Sequence, residues 1–229
     1  MNILAIGPHP DDIEFGCAPI LIQESERGNR IKLLVLSRGE AGSKGTPEGR
    51  EQEAREASRL MNAEFTLLDF GGDCHIRHTP ENSIRIAAEI RSFQPAIILA
   101  PSPTTNQHPD HSAVANLARD ACRLARYAGL AELKSLPVHS VGALFFYNIT
   151  QHSRRPDIVV DVSSVVDKWK AVMACHQSQV TNKAYVELQI SAARLTGLSA
   201  GVEYAVGLHV NDPIRVDGLS AIAISARAF

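Results

Sequence analysis

Two short polar blocks contain the residue types that could do chemistry in this chain. The first is His-Pro-Asp-Asp at residues 9–12, and the second is His-Pro-Asp-His at residues 108–111. Imidazole and carboxylate groups are costly to bury without partners, so two such blocks beside apolar runs must find partners in the fold. Their nitrogen and oxygen atoms are the ligands that Zn²⁺ accepts in open catalytic sites, and both blocks leave further groups for proton transfer. The pattern indicates metal-assisted hydrolysis.

The elements that must position these blocks alternate between strand and helix. Apolar runs predict strands at residues 2–7 and 96–100, the first directly before its block and the second separated from its block by a loop rich in Pro, Ser and Thr. Thr46 and Pro47 are typical of a helix N-cap and first turn. Further strands are predicted at residues 31–37, 65–69, 142–147 and 158–162, and helices at residues 13–27, 47–62, 82–92, 112–127 and 165–176.

Continuous apolar strands joined by helices predict an α/β fold, with a mostly parallel sheet and helices on both faces. In such sheets, sites gather beyond the carboxyl ends of the strands, where distant segments of the chain meet. Both blocks fall at such strand ends, after the first and fourth predicted strands.

Composition narrows the class of protein. With 229 residues, 45% of them hydrophobic, the chain can bury one sizeable core, so residues 1–229 are predicted to form a single domain. Basic and acidic residues nearly balance, 23 against 25, and the sequence has no basic stripe of the kind that binds nucleic acid.

The N-terminal residues lack the pattern of a signal peptide or membrane helix, so we expect a cytoplasmic protein without a membrane partner. The sequence leaves open whether the protein forms a homo-oligomer.

The four cysteines, at positions 17, 74, 122 and 175, are widely spaced and form no C-x-x-C pair. A structural zinc site built on cysteines is therefore not expected. We expect all four to be small hydrophobic residues of the core.

The two blocks, together with several shorter motifs, carry a resemblance to a known family. The shorter matches are Arg50 with Glu53-Ala54, His176-x-Ser178-Gln179, Tyr204-Ala205, and Pro213-Ile214 before Val216-Asp217. The chain resembles the PIG-L (LmbE-like) family of zinc-dependent N-acetylglucosamine deacetylases, especially the branch that deacetylates N-acetylglucosaminyl-malate in bacillithiol synthesis. The resemblance implies a Rossmann-like fold, one catalytic Zn²⁺ and hydrolysis of the acetamide on an N-acetylated sugar substrate.

The same resemblance implies roles for the metal-binding residues and the base. The zinc ligands would be His9, Asp12 and His111. Positions 9 and 12 are three apart, so a loop that turns into a helix can aim both side chains at one ion. Such an ion lowers the pKa of bound water towards ~7 and polarises the amide carbonyl. Asp11 is implied to be the general base.

Other residues are implied to contact the substrate or to support the reaction. His108 would stabilise the oxyanion as a cation or donor, a contribution of about 3–4 kcal/mol. Asp110 would orient the His108 ring and raise its pKa. Arg50 would reach polar groups of the substrate or the departing acetate. Gln107 stands where relatives that use the malate conjugate have Arg, so a carboxylate on the aglycone should matter little.

Simpler interpretations compete for some of these residues. A lone His-Pro-Asp can be a turn, and Asp11 with Asp12 can be a helix cap, although two blocks after two strands make this a poor explanation. Arg50 can equally be a solvated helix residue. The segment 71–78, with His75 and His78, could be a second metal site, but a polar rim loop is favoured.

Three functions from different classes follow from these observations. The first is a zinc-dependent N-deacetylase, and the second is a zinc-dependent hydratase or lyase that acts on a small carboxylic acid with the same scaffold. The third is a binding protein without activity. The complete first block favours the deacetylase, and a silent protein would be expected to lack a ligand or the base.

Overall fold

A computed structural model describes residues 1–104, 108–153, 155–181, 184–222 and 225–226. Its centre is a seven-stranded sheet with the order β3-β2-β1-β4-β5-β7-β6, in which β1 to β5 run parallel and β7 is antiparallel to both of its neighbours. The strands are β1 Asn2–Gly7, β2 Arg30–Val35, β3 Ala63–Leu67, β4 Ile97–Pro101, β5 Ala143–Tyr147, β6 Ile158–Asp161 and β7 Ala205–Val210. The predicted α/β class is confirmed.

Helices cover both faces of this sheet. Along β1, Ile3 and Ala5 belong to one buried cluster while Leu4 and Ile6 belong to the other, because successive side chains point to opposite faces. The first cluster includes side chains of α1, α2, α3, α6 and α8, and the second includes those of α4 and α5. These helices are α1 Asp12–Gly16, α2 Ala18–Glu26, α3 Pro47–Leu60, α4 Pro80–Phe93, α5 Pro109–Leu124, α6 Val166–Ala174, α7 Gln177–Val180 and α8 Tyr185–Ala200.

Two features of the fold differ from the prediction. The helix predicted at residues 13–27 is interrupted at Cys17, whose φ is −144°, and α2 then takes Pro19 into its first turn. A proline is tolerated there because its missing N–H would have no helical partner. The strand β7 and the helix α8 were not predicted. The apolar pattern of β7 is interrupted by Gly207. A side chain does not fit at this position, because the ring of Pro156 occupies the space that a Cβ would need.

The topology brings the two polar blocks together. The strand β1 pairs with β2 on one side and with β4 on the other, so the strand order reverses beside the end of β1. Such a reversal opens a crevice at the carboxyl ends of the strands. Residues 9–12 lead from β1 into α1, and residues 108–111 begin α5 after β4.

Among the described residues, no helix combines the length and apolarity that a membrane crossing would need.

Candidate metal centre and active site

Three buried side chains meet beyond the ends of β1 and β4. His9 and Asp12 come from the turn into α1, and His111 comes from the first turn of α5. The Asp12 carboxylate lies between the two rings, with Oδ2 3.0 Å from His9 Nδ1 and Oδ1 3.1 Å from His111 Nε2. One ligand atom of each residue lies within 4.8 Å of the others. The structure therefore brings together the three predicted metal ligands.

The charges of this group suit a divalent cation. Burial would raise the pKa of Asp12, but His111 and His9 outweigh it and hold that pKa well below its ordinary value. Burial lowers the pKa of His9, yet the carboxylates of Asp12, Asp110 and Asp73 together raise it well above its ordinary value. A proton on His9 thus offsets negative charge that a metal ion could offset instead. Two imidazoles and one carboxylate are a usual donor set for catalytic zinc.

The far edge of the His9 ring faces two carboxylates. His9 Nε2 lies 3.1 Å from Asp110 Oδ2 and 3.1 Å from Asp73 Oδ1. A histidine that binds a metal usually donates its other ring N–H to a carboxylate, which fixes the tautomer and the ring orientation. Asp110 was predicted to orient His108, but its Oδ2 is 3.8 Å from His108 Nδ1. In the structure, the Asp110 carboxylate contacts His9, while the backbone N–H of Asp110 donates to His108 Nδ1 at 3.2 Å.

Asp11 precedes α1 and has a strained backbone, with a φ of 127°. Its side chain makes no capping hydrogen bond to the helix, so the helix-cap interpretation does not explain it. Burial and the Asp12 charge raise the pKa of Asp11 to about 6, against the opposing charge of Arg50. A carboxyl group with such a pKa can accept and return a proton near neutral pH. Strained residues of this kind persist where the surrounding structure holds them.

Arg50 holds the loop that carries Asp11. Its guanidinium donates through Nη1 to Gly39 O at 2.8 Å and through Nη2 to Pro10 O at 3.1 Å, and Nη2 also lies 3.3 Å from Asp11 Oδ2. Arg50 is only 5% exposed, and these contacts join it to the loops around Asp11. Its contact with substrate stays a prediction. The other predicted substrate contact, Gln107, lies outside the described residues.

His108 lies at the open side of the metal-binding group. Its side chain is 27% exposed, and its ring centroid is 4.6 Å from that of His9. His108 Nδ1 accepts a hydrogen bond from Asp110 N at 3.2 Å, so the neutral ring carries its proton on Nε2. Burial and the charge on His9 lower the pKa of His108 more than Asp110 and Asp73 raise it. The pKa of His108 is therefore lowered overall, although Asp110 by itself acts in the predicted direction.

Comparison with known proteins places this site in a family. The family model of GlcNAc-PI de-N-acetylase (PIG-L) matches residues 4–122, more than half of the chain, and includes both polar blocks. The chain belongs to the PIG-L family. This membership agrees with the resemblance seen in the sequence.

The proteins that are similar to this PIG-L chain have two different activities. It is 30% identical over 197 residues to the diacetylchitobiose deacetylase of Thermococcus kodakarensis, covering 78% of this chain and 70% of that protein. It is 25% identical to the 4-oxalmesaconate hydratase of Pseudomonas putida, covering 90% and 88%. The solved structure of the conserved protein TT1542 from Thermus thermophilus superposes with a TM-score of 0.85 at 34% identity, covering 93% and 96%. Family and relatives together support an N-deacetylase hydrolase.

Two further pairs of residues lie at or beside the site. Asp73 and Cys74 reach the metal-binding group from the loop after β3, within the segment predicted to be a polar rim loop. Glu14 and His176 are both fully buried, with Glu14 Oε1 3.5 Å from His176 Nε2. Burial lowers the pKa of His176, but the carboxylates of Glu14, Asp11 and Glu53 together raise it above its ordinary value. The signal for Glu14 was its position two residues after the first block.

The loop at residues 71–78 does not hold a metal through its histidines. Neither His75 nor His78 belongs to a potential ligand group within the described part of the chain, and His78 Nε2 instead lies 2.7 Å from Asp120 Oδ2 at the surface. Three of the four cysteines are buried or half-buried, as predicted, but Cys74 is exposed. The prediction that all four belong to the core is therefore wrong for Cys74.

Proposed function

We propose that this protein hydrolyses the N-acetyl group of an N-acetylglucosamine-type sugar conjugate. The observation that carries the proposal is the buried ligand set of His9, Asp12 and His111 beside a carboxyl group, Asp11, whose pKa is about 6. Such a site places a metal and a proton acceptor side by side. Hydrolysis of an amide needs both, because water is a poor nucleophile and the amide carbonyl is a poor electrophile.

The three ligands would hold one Zn²⁺, since imidazole and carboxylate donors suit this ion. When bound, the ion acidifies water and polarises the carbonyl oxygen of the acetamide. His9 is kept in one orientation because its Nε2 faces Asp110 and Asp73 at 3.1 Å each. These contacts fix which ring edge is free for the metal.

Asp11 moves the proton of the reaction. Its carboxylate accepts the proton that water loses on attacking the acetamide carbon, and Arg50 Nη2, 3.3 Å from Oδ2, keeps the carboxylate in place. As the C–N bond breaks, the carboxyl group returns this proton to the departing nitrogen, which leaves acetate and a free amine. General acid–base catalysis of this kind contributes about 10²–10⁴ in rate.

His108 stabilises the oxygen that becomes negative. Its neutral ring carries a proton on Nε2 and stands at the open side of the site, so it can donate to the oxyanion. One such donor contributes about 10²–10³ to kcat. Of the two roles predicted from the sequence, cation or donor, the lowered pKa of His108 favours the neutral donor.

We propose an acetamide at the 2-amino position of a glucosamine unit as the reacting group. The diacetylchitobiose deacetylase relative supports an N-acetylated sugar, and Gln107 supports an aglycone without an essential carboxylate. An Arg at that position would add charge-assisted bonds of ~1.5–3 kcal/mol to an anionic aglycone, which Gln cannot replace. The cytoplasm is the proposed compartment, which the free state of all four cysteines supports.

A hydratase is the second candidate, because the similarity to the 4-oxalmesaconate hydratase extends over 90% of this chain. Addition of water to a double bond also uses a metal and a base. The two candidates differ in their products, since only the deacetylase releases acetate and exposes an amine.

The test is to incubate the metal-loaded protein with N-acetylglucosaminyl-malate, a neutral N-acetylglucosamine glycoside and a panel of unsaturated dicarboxylic acids. We expect acetate and free amine in equal amounts from both sugars, with kcat/KM values within about tenfold of each other. A preference of a hundredfold or more for the malate conjugate would contradict the inference from Gln107. Consumption of an unsaturated acid without any acetate release from the sugars would replace the deacetylase by the hydratase.

A further inference from the structure

Three donors of different chemistry converge at the rim of the site, beside the metal-binding group. Asp73 Oδ1 lies 3.3 Å from His108 Nε2, Cys74 Sγ lies 3.4 Å from Asp73 Oδ1, and Cys74 Sγ lies 3.4 Å from His108 Nε2. A carboxylate, a thiol and an imidazole thus form a nearly equilateral triangle.

The backbone of the loop makes this convergence possible. Side chains of adjacent residues in extended chain point in opposite directions, but Cys74 has a φ of 68°. The turn directs its thiol to the same ring that the Asp73 carboxylate faces. The backbone N–H of Cys74 donates to Asp110 Oδ2 at 2.9 Å, which fastens the loop to the first turn of α5. A non-glycine residue at positive φ is strained, and this one is held in place at the edge of a functional site.

The size of the triangle matches one tetrahedral ion. Zinc bonds are about 2.3 Å to sulfur, 2.0–2.1 Å to imidazole and 2.0–2.2 Å to carboxylate oxygen, which at a tetrahedral angle places the donors about 3.4–3.6 Å apart. The observed 3.3–3.4 Å agrees with these separations. We propose that Asp73, Cys74 and His108 form a second metal site, for a thiophilic divalent cation of the zinc, cobalt and cadmium class.

The surroundings can accommodate this second cation. Cys74 is exposed, so water can take the fourth position. On binding, the thiol releases its proton to solvent and the sulfur becomes a thiolate ligand. The His108 ring must then offer the lone pair of Nε2, so its proton moves to Nδ1. The hydrogen bond that Nδ1 accepts from Asp110 N at 3.2 Å in the metal-free structure is lost in this step. The carboxylates of Asp12, Asp73 and Asp110 gather within one cluster and offset the added positive charge.

Occupation of this site would inhibit the enzyme. The ion takes His108 Nε2, the donor assigned to the oxyanion under the proposed function, on which this part of the inference rests. Excess zinc is therefore expected to lower turnover, whereas the first equivalent supports it.

The binding test uses cobalt absorption and does not depend on any activity. Metal-free protein is titrated with Co²⁺, and a thiolate-to-cobalt charge-transfer band is recorded with the number of bound equivalents. We expect two equivalents and the band in the unmodified protein. The band should be lost in Cys74→Gly, in which glycine suits the positive φ, and kept in Cys122→Ala, the matched loss of another thiol.

His111→Ala separates the two sites. It should lose one equivalent and keep the thiolate band. Absence of the band from the unmodified protein, its persistence in Cys74→Gly, or its loss in His111→Ala would each overturn the second site.

The inhibition test compares acetate release with one and with several equivalents of Zn²⁺, each variant being scaled to its own maximum. Excess zinc should inhibit the unmodified protein and Cys122→Ala at concentrations at least about tenfold lower than Cys74→Gly, since loss of even a partner of a metal ligand weakens binding ~10–100-fold. Equal inhibition of all three would overturn the inhibitory role. If no acetate is released at all, the proposed function fails, but the cobalt band still decides the second site.

Discussion

Replacing Asp11 by Asn should remove turnover and at the same time stabilise the metal-free fold. The substitution Asp11→Asn keeps the shape of the side chain and an oxygen that can accept from Arg50, but it removes the proton acceptor. We expect kcat to fall by about 10²–10⁴ with metal content unchanged. At about 1.36 kcal/mol for each factor of ten, this is a loss of about 3–5 kcal/mol of transition-state stabilisation.

The stability effect follows from the raised pKa. The folded pKa of Asp11 is about 6 and its ordinary value is 3.8, so the folded protein binds this proton more tightly than the unfolded chain does. The ionised carboxylate therefore destabilises the fold fully above about pH 6, by about 3 kcal/mol, and this penalty disappears as the pH falls towards about pH 4. Asn carries no charge at any of these pH values. After allowing for the weaker contact with Arg50, we expect a gain of about 1–3 kcal/mol near pH 7.5.

Two measurements on the same preparation check this reasoning. Acetate release is measured at matched metal content, and urea unfolding of the chelator-treated protein is followed near pH 7.5 and near pH 4.5. Asp167→Asn is the control, because Asp167 is an exposed carboxylate on α6. A loss of stability near pH 7.5 would refute the buried-charge argument and return Asp11 to a structural role. Normal kcat at full metal content would remove it from the mechanism.

Two further predictions concern the ligand set and the loop that carries the base. His111→Ala should lower metal affinity at the proposed catalytic site by far more than tenfold while folding is retained, as measured by elemental analysis after dialysis; unchanged tight binding would remove His111 from the ligand set. Arg50→Lys cannot reach Gly39 O, Pro10 O and Asp11 together, so kcat should fall by at least about tenfold with little change in KM, whereas the exposed Arg59→Lys should not alter either constant. A rise in KM alone would instead give Arg50 the substrate contact predicted from the sequence.

Local sequence patterns were sufficient to predict most of the sheet. Strand β1 lies at the predicted residues, and Thr46 caps α3 by accepting from Gly49 N at 3.1 Å. Continuous apolar runs and capping residues act within a few positions of the chain, so such elements are readable without knowledge of the fold. The strand β7 was missed because its pattern depends on a partner distant in sequence, Pro156, which packs where Gly207 has no side chain.

The sequence by itself determined the residue types and the segments of the site. The position of residues 9–12 and 108–111, each after a buried strand, predicted that the two blocks would meet, and the family resemblance then named His9, Asp12 and His111 as the ligands. This worked because parallel strands end at the same edge of a sheet and the helices that follow begin there.

Only the tertiary structure decided which polar groups face each other. It turned Asp110 towards His9, buried Arg50 against the loop that carries Asp11, and brought Cys74 next to His108. These contacts depend on loop conformations and on packing between segments far apart in the chain. Periodicity records which face of an element is buried, but it holds no information on where a polar side chain finds its partner.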